Sequence, residues 1–146
     1  MLKNLIFILF LFISSINNAQ VAADSVNKTD AEGKRQGKWI ITNKIAQKVG
    51  FADNQKVEEG VYLDSRKKGV WKEFYANGNM KSVITYENNM PNGYVIMYHE
   101  NGKIKEEGNW KNRRWVGAYK FFHENGQVAY DFNYSDNGKR VGNQKY

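Results

Sequence analysis

Clusters of basic residues recur along this sequence, each within a few residues of a glycine. The clusters are Lys34 and Arg35; Arg66, Lys67 and Lys68; Arg113 and Arg114; and Lys139 and Arg140. Such side chains bind carboxylates, phosphates and other anionic groups. Trp115 follows one cluster directly, and indole rings favour the interface between membrane and water. With a formal net charge of +7, the chain favours acidic partners or anionic surfaces, although solvated turns that keep a sheet edge soluble are the alternative interpretation.

The remaining polar residues do not form a pattern typical of a catalytic or metal site. His99 and His123 hold the same place in a repeated pattern, which puts them two strands and roughly 10 Å apart, too far to share a zinc ion. Glu106 and Glu107 are adjacent, so on a strand they point to opposite faces. The chain has no cysteine, which excludes disulfides and thiolate chemistry. We therefore expect no enzyme activity, no metal and no cofactor.

A repeat with a period of 24 residues carries these groups. Its copies begin at Gly69, Gly93 and Gly117, and each contains a short apolar run, an aromatic residue five positions after the glycine, and then Asn-Gly. The aromatic residues are Phe74, Tyr98 and Phe122. Asn-Gly between two apolar runs is a strong hairpin signal. The sequence thus predicts an all-β fold, an open antiparallel meander of repeated hairpins.

The register within each hairpin stays open between two alternatives. A two-residue loop at Asn-Gly places Trp71 on the face of Met80 and Ile84, whereas a three-residue loop with a bulge places Phe74 and Val70 there. A slip of one residue reverses which side chains face inward. In both cases some aromatic surface stays exposed.

The meander also predicts where the loops lie. All loops that join one hairpin to the next fall at one end of the sheet, so the basic clusters should line that end. The opposite end carries Asp53, Glu100 and Glu124 near the Asn-Gly turns. We therefore expect an electrically polarised ribbon.

The segments GVWKEFYANGNMK, GYVIMYHENGKIKEEGNW and GAYKFFHENGQVAYDFNY resemble the MORN-repeat variant of YwqK-type proteins, a family often labelled as antitoxins of toxin–antitoxin systems. The resemblance implies an open β-meander that serves as a non-enzymatic binding scaffold for proteins or membrane lipids. Met90, Pro91 and Asn92 depart from the other copies, which carry basic pairs there.

The amino terminus predicts export. Residues 1–20 combine Lys3, an apolar run and small polar residues, as in a secretory signal peptide whose cleavage lies as late as residue 23. The alternative is a short membrane anchor or buried helix. We predict a flexible lead-in at 21–32 and a single repeat domain at 33–146. Its units lie near 33–62, 63–86, 87–110 and 111–134, with a partial unit at 135–146.

Together these features predict an exported, non-enzymatic β-repeat scaffold that binds a protein partner at the cell envelope. It would reside in the periplasm, at the outer membrane or outside the cell. One alternative is a peripheral binder of an anionic membrane or lipopolysaccharide surface through the basic loops. The other is an antitoxin or immunity-type protein. We expect no nucleic-acid binding, because an exported chain rarely meets that ligand.

Overall fold

Ten consecutive strands form one open sheet in which each strand pairs antiparallel with its sequence neighbours. The structure, a computed structural model, describes residues 25–145. The strands are β1 Lys28–Thr29, β2 Arg35–Thr42, β3 Lys56–Leu63, β4 Arg66–Phe74, β5 Met80–Glu87, β6 Met90–Tyr98, β7 Ile104–Lys111, β8 Arg114–Phe122, β9 Val128–Tyr134 and β10 Arg140–Lys145. A four-residue helix, α1 Asn43–Ala46, joins β2 to β3. The predicted all-β meander is confirmed.

The described residues cover only part of the amino-terminal segment for which the sequence made predictions. The predicted signal peptide at 1–20 lies outside the described residues. Strand β1 lies within the predicted flexible lead-in at 21–32, so the later part of that segment belongs to the sheet. Asn27 extends the pairing, because its side chain donates to Ile40 O and accepts from Ile40 N–H. In the described range, no helix is long and apolar enough to cross a membrane.

Each Asn-Gly turn is a three-residue loop. In the clearest copy Gly78 N–H donates to Tyr75 O and Tyr75 N–H donates to Asn79 O, both at 2.9 Å. Gly78 has a φ of +86°, a conformation that glycine adopts without steric cost. Two-residue turns with positive φ at both positions occur instead between hairpins, at 64–65, 88–89 and 112–113.

A second irregularity restores the other register. Phe74 pairs with Met80, as a three-residue loop requires, but the register then shifts by one residue, so that Trp71 pairs with Ile84. Trp71 is 2% exposed and Val70 is 53% exposed. The three-residue alternative therefore describes the pair next to the turn, and the two-residue alternative describes the rest of the hairpin. The bulge between Glu73 and Phe74 places Trp71 on the same face as Ile84.

All four tryptophans share one face of the sheet, which we call the aromatic face. Side chains paired in register lie on the same side, and the pairings place eleven aromatic residues there. They are Trp39, Tyr62, Trp71, Tyr86, Trp110, Trp115, Tyr119, Phe121, Tyr130, Phe132 and Tyr134. Within residues 25–145 no second sheet covers this face, because the described strands form one sheet. The short helix α1 packs mainly against β2 and β3, with Ala46 against the buried rings of the first repeats.

Glycine makes room for the rings that lie flat on the sheet. A Cβ atom placed on Gly60 would lie 2.3 Å from Cδ2 of Trp71, far inside van der Waals contact. Trp71 packs with Tyr62 at 4.7 Å between ring centroids, and Tyr62 packs with Trp39 at 5.7 Å. These rings and Ile41 form the buried cluster of the first repeats.

The Asn-Gly turns are linked to one another across repeats. Asn77 Nδ2 donates to Glu100 O at 3.1 Å, and Asn101 Nδ2 donates to Glu124 O at 2.9 Å. At the base of the same turn as Asn77, the Tyr75 hydroxyl donates to Tyr98 O at 2.7 Å. His99, at the equivalent position of the next repeat, lies 3.0 Å from Phe122 O through Nε2. These side chains thus tie each repeat to the next.

Replacement of Gly60 by Ala should destabilise the protein by about 1–3 kcal/mol, because the added methyl group forces the Trp71 ring to move. Urea unfolding monitored by tryptophan fluorescence measures this loss. The Trp71→Ala background provides the control, since the penalty should largely vanish when the ring is absent. An equal penalty in both backgrounds would contradict the packing argument.

Replacement of Asn101 by Ala should cost about 0.5–1.5 kcal/mol more than replacement of Asn125 by Ala. Both side chains accept a hydrogen bond within their own turn, but only Asn101 also donates to the next turn. Asn125 Nδ2 also donates to Gln127 Oε1 within its own turn, so thermal unfolding of the two variants in a Gln127→Ala background isolates the inter-repeat bond. Equal losses would show that it contributes nothing.

Candidate functional site

The five segments predicted to be inter-hairpin loops, four of which carry adjacent basic residues, lie at one end of the sheet, which we call the basic end. It comprises the turns β1–β2, β3–β4, β5–β6, β7–β8 and β9–β10. The predicted residues differ in exposure because adjacent residues on a strand point to opposite faces. Seven of them are exposed and have no ion-pair partner in the described range. Five of the seven also make no side-chain hydrogen bond or cation–π contact there, namely Lys34, Arg66, Lys68, Arg113 and Lys139.

Two of the predicted cations are half-buried against the aromatic cluster. The Arg35 guanidinium lies 4.8 Å from the Trp39 ring centroid and donates to the Tyr62 hydroxyl at 3.2 Å. Lys67 Nζ lies 4.2 Å from the Trp71 ring centroid and forms an ion pair with Glu58. Both side chains cover rings of the first repeats, so they are poorly placed to bind an external anion.

Arg114, Arg140 and Trp115 also make internal contacts. Arg114 donates through its guanidinium to Asn137 O at 2.7 Å, and the Arg140 guanidinium lies 4.5 Å from the Phe132 ring centroid. Trp115 packs edge-on against Trp110 at 4.8 Å between centroids. The predicted set thus divides into five exposed cations without internal contacts and five residues that contact the sheet, of which Arg114 and Arg140 are also exposed.

At the basic end, the backbone pairing continues beyond the strands through what we call turn links. Ser65 N–H donates to Arg35 O and Arg35 N–H donates to Ser65 Oγ, both at 2.9 Å. One repeat later, Asn89 N–H donates to Lys67 O at 3.1 Å and Lys67 N–H donates to Asn89 Oδ1 at 2.6 Å. Each link needs a backbone N–H on the strand and a short acceptor side chain in the turn.

The next link does not form. Its positions are occupied by Pro91, the single proline of the sequence, and by Arg113. Proline has no backbone N–H to donate, and an arginine side chain has no acceptor. In the described structure Arg113 N–H also makes no backbone hydrogen bond to Pro91 O. The two neighbouring turns at 88–89 and 112–113 are therefore not tied together.

A groove of about 450 Å³ lies at this gap. Its residues come from both turns and the adjoining strands: Glu87, Asn88, Met90, Pro91, Asn92, Trp110, Asn112 and Arg113. A smaller depression of about 120 Å³ continues onto the aromatic face and shares Pro91 and Trp110 with the groove. We call the larger space the Pro91 groove.

Small side chains explain why the aromatic face dips here. At the position held by Trp71 and Tyr119 in the flanking repeats, this repeat has Val95. The Trp115 ring lies over Gly108, within 3.4 Å of where a Cβ would be. Sequence reasoning noticed the Met-Pro-Asn departure but missed its consequence, because the turn links depend on pairing between distant residues.

The aromatic face holds few ionisable groups with shifted pKa values. Burial raises the pKa of Tyr119, and the hydroxyl's hydrogen bond to Glu106 Oε2 at 2.7 Å adds to the effect. Burial alone would raise the pKa of Glu73, but hydrogen bonds from Lys48 and Lys81 lower it on balance. The described residues contain no cluster of three or more histidine and carboxylate side chains suited to a metal ion.

Comparison with known proteins identifies the repeat type. Residues 67–88, 91–112 and 115–136 match the MORN repeat variant. The matched segments begin 24 residues apart; Pro91 is the first residue of the second segment, and Arg113 lies between the second and the third. No curated protein matches the chain. Three consecutive segments of the chain thus match the MORN repeat variant, whereas the assignment to YwqK-type proteins stays a prediction.

Stability should fall as the pH rises above about 10, and Tyr119→Phe should reduce this fall. An unfolded tyrosine titrates near pH 10, so a raised pKa in the folded state means that folding favours the protonated form. Tyr119 therefore contributes stability below that pH and loses it above. Urea unfolding of both proteins between pH 8 and 11 measures the slopes, and identical slopes would contradict this role.

Proposed function

We propose, from the three MORN repeat variant units and the uncovered aromatic face, that this chain is an exported, non-enzymatic scaffold that binds a protein partner at the cell envelope. MORN repeats are often involved in protein or membrane binding and are generally non-enzymatic. The export component rests on the signal-peptide pattern of residues 1–20.

The aromatic face is the observation that carries the proposal. It presents half-buried rings along several repeats, including Tyr119, Phe121 and Phe132. Aromatic residues are enriched at protein interfaces, where they supply large contact area with few rotatable bonds. On the opposite face, ion pairs such as Lys120 with Asp131 and Lys72 with Glu59 lie beside exposed aliphatic side chains such as Val61 and Val70. The aromatic face therefore differs from it chiefly in its many rings.

An anionic membrane surface is the second candidate. The exposed cations at the basic end favour it, since each basic residue near an anionic bilayer contributes about 1 kcal/mol. The tryptophans support it less well than the sequence suggests, because Trp110 and Trp115 pack against each other on the sheet. A protein partner uses the aromatic face as well as the charge, so we favour it.

Photo-cross-linking in the envelope of the native host tests the proposal. A benzoylphenylalanine at position 121 should cross-link one discrete protein, because Phe121 lies on the aromatic face. The same probe at the neighbouring Lys120, on the opposite face, is the matched control and should give no such adduct. Equal adducts from both positions, or none from position 121, would contradict binding through the aromatic face.

Vesicle co-sedimentation distinguishes the protein-binding proposal from binding to an anionic membrane. The chain without residues 1–20 is mixed with vesicles of phosphatidylglycerol and with vesicles of phosphatidylcholine. We expect little binding to either at physiological salt. Strong, salt-sensitive binding to phosphatidylglycerol that Arg66→Glu and Lys68→Glu abolish would favour the membrane instead.

A further inference from the structure

We propose that the Pro91 groove binds an extended segment of the partner protein, with an apolar side chain against Trp110 and an adjacent acidic side chain on Arg113. This inference rests on the proposed function and adds the chemistry of the recognised segment.

The missing turn link leaves a hydrogen-bonding pair available to a ligand. In the preceding repeats the turn N–H is bonded to the strand carbonyl, as Asn89 is to Lys67. At the gap, Arg113 N–H and Pro91 O are not bonded to each other. One donor and one acceptor at the end of a ladder are what an extended peptide backbone complements. A phosphate headgroup would use the donor and leave the carbonyl unsatisfied, so the pair favours a peptide.

The walls of the groove suit one large apolar side chain. Met90, Pro91 and Trp110 supply apolar surface, and Met90 is 53% exposed. The volume of about 450 Å³ falls within the roughly 300–1,000 Å³ of typical ligand pockets. Tryptophan is among the residues that contribute most to binding at interfaces. Trp110 is therefore the expected anchor contact.

The charges around the groove determine which type of residue lies next to the apolar anchor of the bound segment and in which direction that segment runs. Arg113 is exposed at the tip of its turn, and a guanidinium binds a carboxylate through two parallel hydrogen bonds. Glu87 lies in the other wall and repels an acidic group on that side. The exposed Lys111 beside Arg113 adds to the positive side. An acidic residue next to the apolar anchor should therefore face the turn at 112–113.

The double variant Pro91→Lys with Arg113→Asn closes the groove by design. It copies Lys67 and Asn89, the pair that forms the preceding turn link. Lysine restores the backbone N–H, and asparagine supplies the acceptor and tolerates positive φ better than arginine. The melting temperature should rise or stay unchanged. A clear decrease would mean that the link cannot form here, which would overturn the explanation of the groove.

Selection from a random heptapeptide library displayed on phage tests recognition. Wild type should enrich peptides with an apolar residue beside Asp or Glu. The most enriched heptapeptide, synthesised and labelled, should bind the double variant at least tenfold more weakly by fluorescence polarisation. Arg66→Gln is the control, because it removes an exposed cation of the same end outside the groove, and it should change the Kd less than twofold.

The inference is overturned if no such peptides are enriched, or if the double variant binds the heptapeptide as tightly as wild type. Cross-linking from position 121 in the double variant separates this failure from failure of the proposed function. If the variant captures as much partner as wild type, the groove has no role and the scaffold proposal stands. If wild type captures no partner, the scaffold proposal itself fails.

Discussion

The structure depends on the backbone hydrogen bonds that pair each strand with the next from β1 to β10. A single open sheet has no second layer to bury its side chains, and in the described residues only seven hydrophobic side chains are buried. Buried backbone groups must be paired, so the backbone hydrogen bonds and their extensions through the turns hold the sheet in one conformation. In a two-layer fold the hydrophobic core has that role. Turn links at the basic end and asparagine side chains at the Asn-Gly end extend the ladder past the strands. Order is thus transmitted from one repeat to the next.

The same dependence explains where a binding site can arise. In the first repeats the turns at 64–65 and 88–89 are linked to the neighbouring strand, and in the repeats on either side of Val95 the aromatic face is filled by Trp71 and Tyr119. One repeat departs in two ways together, with proline in place of a strand N–H and with valine in place of a large ring. Each departure removes a contact between repeats, and both fall beside Trp110. A groove opens there without disturbing the strands, because each strand keeps its pairing along the rest of its length.

Sequence periodicity predicted the meander because Asn-Gly turns and apolar alternation are local signals. It could not decide the face of Trp71, since that depends on a bulge between Glu73 and Phe74 in addition to the loop length. The basic clusters were placed at one end by topology alone. Their division into exposed cations and residues such as Arg35 and Lys67, which lie on aromatic rings, required three-dimensional contacts. The Pro91 groove was beyond sequence reasoning because it follows from a hydrogen bond that two distant residues fail to make.

Hydrogen exchange of three backbone amides in the free protein tests the central claim, that the turns at 64–65 and 88–89 are linked to the neighbouring strand whereas the turn at 112–113 is not. Ser65 and Asn89 occupy linked turns, and Arg113 occupies the equivalent place in the unlinked one. Exchange measured by nuclear magnetic resonance should show protected amides at Ser65 and Asn89 and an amide at Arg113 that exchanges close to the rate of an unstructured peptide. Protection of Arg113 equal to that of Asn89 would show that the two turns are tied together and would contradict the account.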